Sequence, residues 1–199
     1  MPIHSPPLGR NDSFSFDCRL CGQCCSGTMK VFLNPHDILV LAGHLGFDRS
    51  SGLWDAGYVV TDRGQQGLLL PRIRFAGHRP GFCPFVINDW NQEENTLRAL
   101  CSLQDTAKPL ICRLAPAARQ IDFESPEKET WRVELPVAGC PGGRSDKRNL
   151  LDLYLAPLRK ELDMEEEFFR NLMIDLNRGF SPETLLEKYF SFPIPPVIS

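Results

Sequence analysis

The chain has 199 residues, 42% of them hydrophobic, which is enough to bury a full core without disulfide staples. Its net charge of -3 and pI of about 5.8 exclude the global basic field that would draw nucleic acid or anionic lipid. The length suits one domain with a helical tail packed against it. Met1 to Arg10 carries Pro and His where a signal peptide needs an apolar stretch. Ile38 to Leu45, the most apolar short run, includes His44 and is too short to span a bilayer. The expected compartment is the cytoplasm, with no membrane or nucleic-acid partner.

In chain order, Met29 to Leu33 is an apolar run of strand character. Asn34-Pro35 then reads as a helix start, with Asn as N-cap, Pro at the first helical position and Asp37 suiting the dipole. That helix is expected to stop near Gly46. Asp48 to Pro80 reads as loops with short strands at Tyr58–Val60 and Leu68–Leu70. Phe82 to Ile87 is strand-like, Asn88 to Asn95 turn-like and Thr96 to Leu103 a second strand, which together make a hairpin. Lys108 to Arg119 holds Cys112 between two prolines, and Trp131 to Pro136 is a further strand before Cys140. Leu150 to Asn177 places apolar residues at helical spacing; Gly179 fits its end, and Ser181-Pro182-Glu183 the start of another helix. The tail from Ser191 is Pro-rich and extended in character.

Eight cysteines are many for a chain of this size with no secretion signal. In a reducing compartment they point to metal ligation or redox chemistry. Cys18, Cys21 and Cys24 are spaced C-x2-C-x2-C, which lets one tight turn aim several sulfurs at a common centre and matches the opening of bacterial ferredoxin cluster loops. Gly22 lets that turn present backbone N–H groups to sulfur. Cys25 follows directly; adjacent side chains diverge, so a multinuclear centre or two sites sharing one loop are both open. Cys83, Cys101, Cys112 and Cys140 are isolated, without the second C-x2-C pair of a zinc ribbon. Cys83-Pro84 and Cys140-Pro141 repeat the Cys-Pro step of ferredoxin-type loops, which tilts the reading to iron–sulfur over zinc.

Cys18-x2-Cys21-Gly22-x-Cys24-Cys25 resembles the signature of the CxxCxxCC cysteine-cluster family (YkgJ-like), described as a zinc- or iron-chelating domain. The likeness continues through VFLNPHDILVLA with Asp37, Cys83-Pro84-Phe85-Val86, Cys101, Lys108-Pro109, Cys112-Arg113 with Pro116, and Cys140-Pro141-Gly142-Gly143. It covers Phe14 to Gly143. Lys108 stands where the family more often has Arg, which weakens any role needing a bidentate guanidinium. The family also includes flagellin lysine N-methylases; on the resemblance alone, a lysine-methylating activity using S-adenosylmethionine is implied.

The resulting expectation is an α+β fold: an irregular metal-centred domain with a few short strands and C-terminal helices packed on it. Residues 1–13 form an extension, 14–145 the cysteine-cluster domain, and 146–199 a helical segment on the same domain. Cys18, Cys21, Cys24, Cys25, Cys83, Cys101, Cys112 and Cys140 are the ligand pool for an iron–sulfur cluster such as 4Fe-4S, or for zinc. The expected role is a metal-binding module serving a protein partner. The alternatives are a lysine N-methylase-like enzyme acting on a protein substrate, and a metal carrier or sensor. His78 is the best non-cysteine ligand candidate, though the reading goes against it. His44 and Asp37 share a helix face, read as solvated. Arg72, Arg74, Arg79, Arg113 and Arg119 either form a solvated surface, offset thiolate charge or bind an anion. Glu161 to Glu167 reads as an exposed helix face.

Overall fold

The computed structural model of the chain describes residues 6–27, 29–64, 67–76, 81–120 and 129–196. His4, His78 and Arg79 lie outside the described residues. The architecture is α+β. Among the described residues, the strands form four separate two-stranded antiparallel sheets. Three are hairpins between successive strands: β2 (Val59–Arg63) with β3 (Leu69–Ile73), β4 (Val86–Asn91) with β5 (Thr96–Cys101), and β6 (Ala117–Gln120) with β7 (Thr130–Val133). The fourth joins β1 (Ser13–Ser15) to β8 (Arg148–Leu150), with Phe14 opposite Asn149.

Helix α1 (Pro35–His44) starts where the sequence puts it. Asn34 Oδ1 accepts the Asp37 N–H at 2.8 Å, and the Asn34 N–H donates to Asp37 Oδ2 at 3.2 Å, a reciprocal capping box. Ile38, Leu41 and Ala42 then line one buried stripe at helical spacing. Short helices α2 (Gly52–Asp55) and α3 (Leu110–Leu114) follow. The apolar run from Leu150 is broken rather than continuous. Helix α4 (Leu151–Leu155) leads through a 3-10 turn at Ala156–Leu158 into α5 (Arg159–Asn177), because Pro157 removes a backbone donor. Helix α6 (Pro182–Phe190) is capped by Ser181, whose hydroxyl accepts the Thr184 N–H. Asp175 of α5 ties the two helices together by accepting from Lys188 and from Tyr189 Oη.

Two apolar cores result. The first gathers Ile38, Leu41, Leu53, Val59, Ile73, Phe85, Leu103, Phe168, Leu172 and Leu185. The second gathers Phe14, Phe16, Leu110, Leu114, Trp131, Leu151, Leu155 and Leu162. Helix α5 contributes to both. So does α3, whose leucines enter the second core while Cys112 packs on the first.

Several boundaries differ from the sequence reading. Met29 to Leu33 is not a strand: Phe32 makes a single bridge to Arg72, and Val31 and Leu33 sink into the first core. The strand expected at Phe82–Ile87 instead occupies β4 and runs through Asn88–Asn91, since each of those residues finds a β5 partner. That hairpin leaves Ile87, Trp90 and Leu97 about half exposed or more. Among the described residues, no helix is long and apolar enough to cross a membrane.

Candidate metal centre

The cysteine-rich loop leaves β1 and turns through two left-handed residues, Leu20 (φ 51°) and Gly22 (φ 71°). The loop lies along β5, where the Ala99 N–H donates to Leu20 O at 2.7 Å. A Cβ on Gly22 would come within 2.4 Å of Ala99 Cβ, so the loop and strand approach too closely for any larger residue. Gly22→Ala is therefore expected to cost about 2 kcal/mol or more, counting left-handed strain and the displaced strand. Gly27→Ala, at φ 80° with nothing within 4 Å, should show the strain alone, about 1 kcal/mol. Thermal unfolding of the two variants checks the difference; equal losses would remove the Gly22–Ala99 contact as the cause.

Gly22 opens a 3-10 turn over Gln23–Cys25, closed by the Cys25 N–H donating to Gly22 O at 2.9 Å. Cys24 and Cys25 sit half-buried on that turn. The next chain segment docks directly, with the Cys83 N–H donating to Cys25 O at 2.8 Å. Cys83 is followed by a tight turn in which the Val86 N–H donates to Cys83 O, and Val86 is the register partner of Cys101 at the end of β5. Cys112 comes from α3, whose first turn is fixed by Asp37: its Oδ1 accepts the Leu110 N–H at 2.9 Å. Cys83, Cys101 and Cys112 all pack against the first core.

Five thiols, Cys24, Cys25, Cys83, Cys101 and Cys112, thereby come within one another's electrostatic range. Cys24 and Cys25 share a thiol–thiol hydrogen bond that pushes Cys24 up and brings Cys25 down. Burial, reinforced by the neighbouring sulfurs, lifts Cys83 to about 11 and Cys112 to about 12. Lys108 opposes this at Cys24 and Cys112. Crowded thiols of this kind resist ionisation until a cation shares the space, which is the electrostatic condition for a thiolate metal site. Among the described residues, however, no three His, Cys, Asp or Glu side chains converge as a ready set of ligands. The donor chemistry suits a thiophilic metal, and the sulfurs are gathered without being closed on a point.

The other three cysteines stand apart from that group. Cys18 is exposed and bears electrostatically on Tyr154 of α4. Cys140 packs on the second core, as does Tyr154. The two loops meet where the Asp17 N–H donates to Gly142 O at 3.1 Å. Cys21 is exposed at the bend between Leu20 and Gly22. All eight cysteines are free thiols.

The remaining candidates are placed differently from the sequence reading. Asp37 is buried, 7% exposed, and clamps α3, whereas His44 is exposed; they do not form a common solvated face. Burial lifts Asp37 to about 7. Arg72 and Lys30 both pair with Asp62 at 2.8 Å and hold its carboxyl down at about 2. The Glu161–Glu167 run is not wholly solvated: Glu161 pairs with Arg113 at 3.0 Å, and Glu166 with Arg119 at 2.8 Å. A polar cavity of about 340 Å³ is bounded by His36, Asp37, Lys108, Arg113 and Glu161. Asp37 as the clamp on α3 was missed in the sequence, because a carboxylate in a first helical turn already has a local explanation. Compared with protein-family models, curated proteins and solved structures, the chain matches none.

Proposed function

We propose that the chain is a metal-binding protein that holds an iron–sulfur cluster, or failing that zinc, through its cysteines. The observation that carries this reading is the gathering of five thiols from four separate segments. A 3-10 turn, the Cys83 turn, the end of β5 and α3 bring them into one electrostatic neighbourhood at the edge of the first core. Three of them, Cys83, Cys101 and Cys112, pack on that one core from different segments. Thiolates are the ligands both metals favour, and loading would draw the sulfurs inward and release their protons. When bound, an iron–sulfur cluster supplies one-electron chemistry, and zinc a closed structural crosslink.

The chain's own contribution is to hold the donors and temper their charge. Asp37 fixes the start of α3 and so the position of Cys112. Lys108 offsets negative charge at Cys24 and Cys112.

Anaerobic purification with visible absorbance, and iron, sulfide and zinc analysis of the same sample, tests the reading. A brown protein with matched iron and sulfide is the expected result, and colourless protein with stoichiometric zinc would select the second metal. Protein that contains neither, even after anaerobic reconstitution, would sink the proposal.

A further inference from the structure

We infer that the cysteine run is divided: the metal is held by Cys24, Cys25, Cys83, Cys101 and Cys112, while Cys18, Cys21 and Cys140 lie outside the centre. The inference rests on the metal-binding reading and sharpens it, since spacing alone treats Cys18, Cys21 and Cys24 as one unit.

Backbone hydrogen bonds and packing draw the line. Cys25 is bonded directly to Cys83 through the 2.8 Å N–H to carbonyl contact, and the neighbouring residues Ser26 and Phe82 form an antiparallel bridge. Cys83 leads by one tight turn to Val86, which faces Cys101 across the hairpin. Cys112 reaches the same core from α3. Cys25, Cys83, Cys101 and Cys112 are thus each locked to another member of the group or to the core they share, and Cys24 shares the 3-10 turn and a thiol–thiol hydrogen bond with Cys25. Cys18 is fixed elsewhere, because Asp17 beside it is bonded to Gly142 and paired with Lys147 at 3.3 Å. Cys140 packs on the second core. Between the two groups, Leu20 and Gly22 reverse the chain in left-handed conformations around Cys21. The contact of Gly22 on Ala99 pins that reversal, and Cys18 and Cys21 on its near side are exposed whereas Cys24 and Cys25 on its far side are half-buried.

Alkylation of the intact metal-loaded chain, followed by mass spectrometry, tests the division without any variant that could misfold. Iodoacetamide should modify Cys24, Cys25, Cys83, Cys101 and Cys112 at least tenfold more slowly with metal bound than after chelation. Rates at Cys18, Cys21 and Cys140 should be the same in both forms. As a second arm, Cys18→Ser with Cys21→Ser should keep the wild-type metal content, and Cys112→Ser should lose most of it. Metal-dependent protection of Cys18, Cys21 or Cys140, or metal lost from the double variant, would overturn the division and leave metal binding standing. A wild-type chain that holds no metal after reconstitution would overturn both.

Discussion

Arg119→Met is expected to lower stability by about 3–5 kcal/mol, the cost of stripping one partner from a buried ionic network. The Arg119 side chain is 6% exposed. Its Nε donates to Glu129 at 2.9 Å, one terminal nitrogen to Glu166 at 2.8 Å and the other to the Leu162 carbonyl at 3.0 Å. The guanidinium also lies over the Trp131 ring at 5.9 Å. One side chain therefore binds the β6–β7 hairpin to α5 across the second core. Methionine keeps most of the stem's volume but removes the cation that Glu129 and Glu166 share, leaving each with a more exposed arginine, Arg10 and Arg170 respectively. For a chain of this length the loss corresponds to roughly 10 °C in Tm. Arg119→Lys should recover only part of it, because an ammonium cannot serve three directions with the fork of a guanidinium. A loss under about 1 kcal/mol for methionine would mean that the network contributes no more than exposed surface pairs do.

Asp37→Ala carries the other large effect, about 3 kcal/mol. It removes the reciprocal cap of α1 and orphans the buried Leu110 N–H. This carboxyl also gives the stability a pH signature. Burial raises its folded pKa from the ordinary 3.8 to about 7, so the folded chain holds the proton more tightly than the unfolded one. Its contribution is fully present below about pH 4 and is lost as pH rises through 7, at up to about 1.4 kcal/mol per pH unit. Carboxyls held down by partners, such as Asp62, act in the opposite sense and lose their contribution only as pH falls through about 2. The cost of Asp37→Ala should therefore be larger at pH 5 than at pH 8. Urea unfolding of wild type and variant at both pH values measures it; a cost independent of pH would show that Asp37 titrates normally in the folded chain.

Residues that act on close neighbours were legible in the sequence. Asn34, Pro35 and Asp37 announce α1, because capping is a contact within one turn. Gly179 and Ser181-Pro182 mark the break between α5 and α6 for the same reason. The β4–β5 hairpin was visible as two runs with a polar turn, though its paired polar residues hid the true length of β4. The β1–β8 pairing was not visible: three residues at each end, far apart in sequence, carry no period long enough to read. Pro157 was in view, but the apolar spacing carries on across it and masks the break. Of the candidate site, cysteine spacing suggested the donors but not which of them the fold brings near one another. The proposed grouping depends on which loops hydrogen-bond to which and on the left-handed bend at Leu20 and Gly22, neither of which the spacing encodes.

The pairing of Ser13–Ser15 with Arg148–Leu150 has a consequence for biosynthesis. At about 5–20 residues per second, the ribosome delivers the partner of β1 many seconds after β1 itself. Closing so long a loop is also entropically slow compared with forming the three local hairpins. The thiols just after β1 therefore wait on a nascent chain whose first strand has nothing to pair with. Cys112 and its helix arrive well before β8 does, yet both cores take residues from the final quarter of the chain, Phe168, Leu172 and Leu185 in the first and Leu151, Leu155 and Leu162 in the second, so neither core closes until that quarter has been made.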